Sequence, residues 1–90
     1  MILDVGKEVY WESGAGYGWT RKRGKIVAVI PAGIDPTSAV MSALKEHGAR
    51  SAFGGGRARG HDSYLVLVPH HGKGKPTIYW PLVSSLRYDL

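Results

Sequence analysis

The side chains in this sequence that could do chemistry are mostly basic, and they come in groups. Arg21, Lys22, Arg23 and Lys25 form one cluster, Arg57 and Arg59 a second, and Lys73 and Lys75 a third. Grouped lysines and arginines neutralise phosphates without reading base sequence. The same charges are also compatible with solvated loop tips that point in different directions. Aromatic residues are interleaved with them: Tyr10, Trp11, Tyr17, Trp19, Tyr64, Tyr79, Trp80 and Tyr88. An exposed ring beside arginine is what base stacking requires. It would equally serve a methyl-lysine cage, a proline-rich groove or a homo-oligomer interface. Tyr17 and Trp19, in a glycine-rich stretch, are the aromatic candidates for exposed contacts, whereas Trp80, followed by Pro81, is expected to pack under a helical turn.

Catalytic constellations are scarce. There is no cysteine, and no serine sits in a Gly-x-Ser-x-Gly elbow. The acids are spread as single residues, so no paired carboxylates stand out for acid–base work. His70-His71 and His61-Asp62 are the only hints of a metal site, and adjacent histidines on an extended segment point to opposite faces. Gly54-Gly55-Gly56 lacks both the preceding strand and the Lys-Ser/Thr ending of a phosphate loop. The expectation is a binding module with no catalytic residues, no metal and no cofactor.

The overall balance agrees with the basic clusters. Twelve Lys and Arg against seven Asp and Glu give a net charge of +5 in 90 residues, with a pI near 9.8. Such a balance favours nucleic acid or an acidic protein surface as partner. Ninety residues allow a single domain, 1–90, with one modest core. Without cysteine that core must hold by packing alone. The N-terminus lacks the pattern of a signal peptide, and the longest apolar run, Ile26 to Ile30, is too short to span a bilayer. A cytoplasmic protein without membrane contact is expected.

The elements that must position the basic clusters are short. Thirteen glycines and five prolines fit strands joined by tight turns better than a helical bundle. Val5 to Trp11 reads as a strand and Glu12 to Gly18 as a loop. Trp19-Thr20 reads as a short strand leading to a basic tip at Arg21-Lys22-Arg23, and Gly24 opens the clearest strand, Lys25 to Pro31. Asp35 is a good N-cap before Pro36. Val40, Ala43, Leu44 and His47 then recur at helical spacing until Gly48. This predicts a helix over 36–47, about 18 Å long, that is stable only if it packs on a sheet. Ala49 to Asp62 reads as a flexible basic loop. Ser63 to Pro69 is apolar on both faces, which predicts burial from two sides. A hairpin at 70–75 returns as Pro76 to Trp80, a helical turn follows near 82–86, and Arg87 to Leu90 forms a last strand.

This succession, with Gly24-Lys25-Ile26-Val27-Ala28-Val29-Ile30 as a glycine-led strand, resembles the SH3-like small barrels of SH3, Tudor and KOW domains over residues 5–31 and 63–90. The resemblance implies a mainly β, five-stranded barrel with one inserted helix. Val9-Tyr10-Trp11-Glu12-Ser13-Gly14-Ala15, Gly24-Lys25-Ile26-Val27 and Ile78-Tyr79-Trp80-Pro81 are also similar to the plasmid- and integron-borne type of dihydrofolate reductase, a tetrameric SH3-like barrel. That enzyme depends on a Val-Gln-Ile-Tyr segment and a first-strand lysine. Here Thr77 stands for the glutamine and Trp11 for the lysine, which leaves shared architecture rather than shared activity.

The leading expectation is nucleic-acid binding, with Arg21, Lys22, Arg23, Lys25, Arg57 and Arg59 on phosphates and Tyr17 and Trp19 stacking. The alternative is a protein-interaction module or homo-oligomeric accessory protein of a mobile element (phage, plasmid or integron cassette). A reductase-like pore enzyme is a remote third.

Overall fold

Strand β4, Ser63–Val68, is buried from both sides, and the rest of the chain is arranged around it. In the computed structural model, residues 3–14, 19–53, 56–70, 72 and 74–88 are described. Among them a five-stranded sheet runs in the order β1-β2-β4-β5-β3. The strands are β1 Glu8–Gly14, β2 Trp19–Ile30, β3 Arg50–Ser51, β4, and β5 Thr77–Tyr79. Helix α1, Thr37–His47, lies between β2 and β3, and a 3-10 turn, Val83–Ser85, follows β5. The fold is thus mainly β with one inserted helix and a late helical turn, as the residue patterns predict. Among the described residues no helix is long and apolar enough to cross a membrane.

Period-two alternation along β4 sends Leu65 and Val66, both fully buried, into two different cores. Val66 joins Val9, Trp11, Ile26 and Leu86, with Tyr64 and Val68 packed at the margin. Leu65 joins Ile30, Val40, Ala43 and Ile78, with Leu67 and Trp80 at the margin. The helix closes this second core. Its Val40–Ala43 face is buried there, and burying one valine side chain contributes about 1.5–3 kcal/mol.

A bulge in β2 makes the two-core arrangement possible. Pairing with β4 shifts register between Ile26 and Ala28. An unbroken strand would put Ile26, Ala28 and Ile30 on one face. With the extra residue, Ile26 stays in the first core while Ala28 and Ile30 turn into the second. Gly24, two residues before the bulge, is buried. A Cβ there would strike the Leu67 carbonyl oxygen and come within 2.9 Å of Val66 Cγ1. Gly24 therefore lets β2 and β4 approach, and it sits inside a strand rather than opening one.

That continuity corrects several expectations. Pairing of β1 with β2 runs from Glu8↔Lys25 to Gly14↔Trp19, so Glu12, Ser13 and Gly14 of the expected 12–18 loop belong to the ladder, while 15–18 lie outside the described residues. Arg21, Lys22 and Arg23 are consequently ladder residues within one 12-residue strand, not a tip. β1 starts three residues later than Val5 and continues through Glu12, Ser13 and Gly14, because the cross-strand partners of these residues extend the ladder. The proposed flexible loop contains β3, which runs parallel to β5 through Arg50↔Thr77 and Ser51↔Ile78. The last strand is represented by one bridge, in which Tyr10 and Arg87 exchange backbone hydrogen bonds of 2.9 and 2.8 Å. Asp89 and Leu90 lie outside the described residues.

The helix starts one residue later than its sequence signals suggest. Pro36 occupies the cap position, and Asp35 Oδ1 accepts the Thr37 N–H at 2.8 Å. At the other end Gly48, at φ +59°, takes the left-handed conformation that ends a helix and donates to the Leu44 carbonyl.

Two outcomes follow from these contacts. Gly24→Ala should destabilise the protein by about 1–3 kcal/mol in urea unfolding through overpacking. Gly60→Ala, where an added Cβ meets open space, should stay within about 0.5 kcal/mol of the wild type. Bonding to the Thr37 hydroxyl and then to its N–H lowers the Asp35 pKa below its ordinary 3.8. A depressed carboxylate contributes stability above its unfolded pKa and loses it as pH falls through the folded one. Asp35→Ala should therefore lower the melting temperature at pH 7, and the difference should fade in melts run progressively below pH 4.

Candidate functional site

The β1–β2 ladder sorts the basic cluster onto two faces. On the outer face, Glu8, Tyr10 and Glu12 stand opposite Lys25, Arg23 and Arg21. The Arg21 and Arg23 guanidinium carbons lie 5.0 and 4.9 Å from the Tyr10 ring centre. Arg21 also pairs with Glu12 at 3.3 Å and Arg23 with Glu8 at 3.6 Å. All four charged side chains are about half exposed, so each pair contributes roughly 0–1 kcal/mol and opens at little cost. Lys25, exposed, forms no ion pair among the described residues.

On the inner face Lys22 stands opposite the buried Trp11. Tyr79 packs edge-on against Trp11, with ring centres 5.5 Å apart. The Lys22 ammonium sits 5.4 Å from the centre of the Tyr79 ring. Trp11, Tyr79 and Lys22 thus pass from the core to the surface in three steps. The step outward ends in an open concavity of about 690 Å³. Arg21, Lys22, Arg23 and Lys25 supply its charge against one carboxylate, Glu8, among the described residues. Leu67, Val68 and Pro69 form an apolar wall beside Tyr79, and no residue of α1 contributes to the lining. The inserted helix packs on the second core and leaves this depression open.

The second basic cluster divides. The Arg59 guanidinium stacks 3.7 Å from the Trp80 ring centre and donates to the Pro81 and Trp80 carbonyls at 2.9 and 3.0 Å. Burial lowers its pKa, although an arginine remains protonated throughout the physiological range. Arg59 is therefore built into the second core's margin, where it holds the 56–62 segment onto β5's end. Trp80 is anchored from below as well: its indole N–H donates to Ser63 Oγ at 2.8 Å, and Phe53 lies 5.8 Å away. Trp80 thus packs against the arginine and the helix-side core. Arg57 is exposed in the same connection.

Of the expected stacking residues, Tyr17 lies outside the described residues, and Trp19 is placed by its backbone at the start of β2, opposite Gly14. Lys73 likewise lies outside them, while Lys75 is exposed. Among the described residues no three His, Cys, Asp or Glu side chains converge as metal ligands would. Tyr79 and the Leu67–Pro69 wall were not singled out as site residues by the sequence. Their only local signal is the alternation that puts Tyr79 and Trp80 on opposite faces; the pairing with Lys22 spans 57 positions of chain.

No protein-family model, curated protein or solved structure matches the chain.

The Trp80 anchor is testable. Trp80→Phe removes the donor to Ser63, a fully buried hydroxyl, and should cost about 1–3 kcal/mol in urea unfolding. Combining it with Ser63→Ala should recover part of that loss, which a double-mutant cycle reads as a coupling of about 0.5 kcal/mol or more.

Proposed function

We propose that this chain is an SH3-like small barrel that binds nucleic acid through the β2 basic stripe and the concavity beside it, and that it acts by binding rather than catalysis. Several features support the barrel reading. The antiparallel run β1-β2-β4-β5 is followed by a 3-10 turn, and the chain then returns to bridge β1 through Arg87. In this reading α1 and β3 are the insertion.

The observation that carries the binding reading is the convergence of Arg21, Lys22, Arg23 and Lys25 on one open concavity with a single acid on its rim among the described residues. Consecutive strand residues would normally face opposite ways, but here both sets reach the same depression. Four cations within one strand match a phosphate backbone better than an isolated anion, because each neutralised phosphate releases condensed counterions. The carboxylates of Glu8 and Glu12 act as internal competitors, occupying Arg23 and Arg21 until phosphates replace them. Among the described residues the large exposed apolar side chains, Val5, Ile34, Met41 and Leu82, come from four separate segments, which gives a protein-docking role less support.

Fluorescence anisotropy with labelled oligonucleotides tests the reading. With about four phosphates neutralised, log K should fall against log salt with a slope between about −2.8 and −3.6. Lys22→Ala with Lys25→Ala should weaken binding about tenfold at low salt and flatten the slope by about 1.5. Glu12→Gln should strengthen it about two- to fivefold by freeing Arg21. A salt-independent response, or no binding at low salt, refutes this function.

A further inference from the structure

We infer that the concavity takes an unpaired base against the Tyr79 ring, which makes the ligand single-stranded nucleic acid; this rests on the nucleic-acid reading above. Three observations lead there. The Tyr79 ring is partly buried yet lines the open depression, and an edge contact with the buried Trp11 holds it in place, so it offers an aromatic platform. Leu67, Val68 and Pro69 provide an apolar wall beside it, a surface that a phosphate backbone alone has no use for. Lys22 already holds a cation at the ring and is flanked by Arg21 and Arg23, so a base entering there finds positive charge at the position of its own phosphate.

Size and access agree. About 690 Å³ is within the range of small-ligand pockets, roughly 300–1,000 Å³, and has room for a nucleotide unit rather than a helix. Bases in a duplex expose only their edges in the grooves, so their faces cannot reach the ring. A base in a single strand has a free face, and stacking on an aromatic side chain tolerates any base. The Lys22 ammonium would exchange its contact with the ring for one with phosphate, which keeps its charge compensated while the ring gains a partner.

The test uses the unaltered protein and four labelled ligands of one sequence: a DNA strand, an RNA strand, the DNA duplex, and the DNA strand with abasic sites that retain every phosphate. The intact DNA or RNA strand should bind about tenfold tighter than both the duplex and the abasic strand at the same salt. Equal, salt-sensitive binding of all four would overturn the inference and leave the phosphate-binding function standing. No binding of any ligand would overturn both. A strand carrying 5-iodouracil locates the base: a photo-crosslink to Tyr79 supports the placement, and one confined to any other aromatic residue overturns it.

Discussion

The structure depends on β4 being buried from both sides. Leu65 and Val66 are adjacent in the chain and both fully buried, yet they belong to different cores. One core lies between β4 and the β1–β2 hairpin, and the other lies under α1. Neither would be large in so short a chain, and each needs the other to hold the shared strand flat between them. The bulge between Ile26 and Ala28 solves the same problem in β2, which must serve the first core with Ile26 and the second with Ile30. Gly24 permits the close strand approach on which both depend.

The candidate site is a by-product of that packing. Because the first core runs out at Trp11 and Tyr79, the inward-facing Lys22, opposite Trp11 in the ladder, brings its ammonium to the Tyr79 ring at the edge of that core. The outward-facing Arg21, Arg23 and Lys25 line the same depression. Tyr10 organises the outer face by accepting both guanidinium groups, while Glu8 and Glu12 hold them in ion pairs that cost little to exchange. The site is thereby positioned in advance without being neutralised by buried partners.

Much of the fold was legible in local patterns. The helix could be read from Asp35, the Val40–Ala43–Leu44 spacing and Gly48, and the two-sided burial of Ser63–Val68 from its unbroken apolar run. What failed was local reading of charge and glycine. Arg21-Lys22-Arg23 looked like a tip because three adjacent charges suggest solvent, whereas a β1 partner extending to Gly14 makes them a ladder. For Arg59, the sequence shows a grouped cation, and the structure adds that two backbone carbonyls and the Trp80 ring engage it. β3 escaped notice because two residues carry no periodicity, and its pairing is parallel to a strand 26 or more positions away.

The sequence by itself determined the class of the protein: mainly β with one helix, cysteine-free, basic, and poor in catalytic groupings. These properties follow from composition and from short-range periodicity, which do not depend on how distant segments meet. Tertiary structure decided which cations line the concavity and which contact other groups of the chain. It also decided that Tyr79 is the ring beside Lys22 and that α1 leaves the basic concavity open. These are outcomes of strand register, a bulge and a close backbone approach. All of them are set by contacts between residues far apart in the chain, so no local window of sequence contains them.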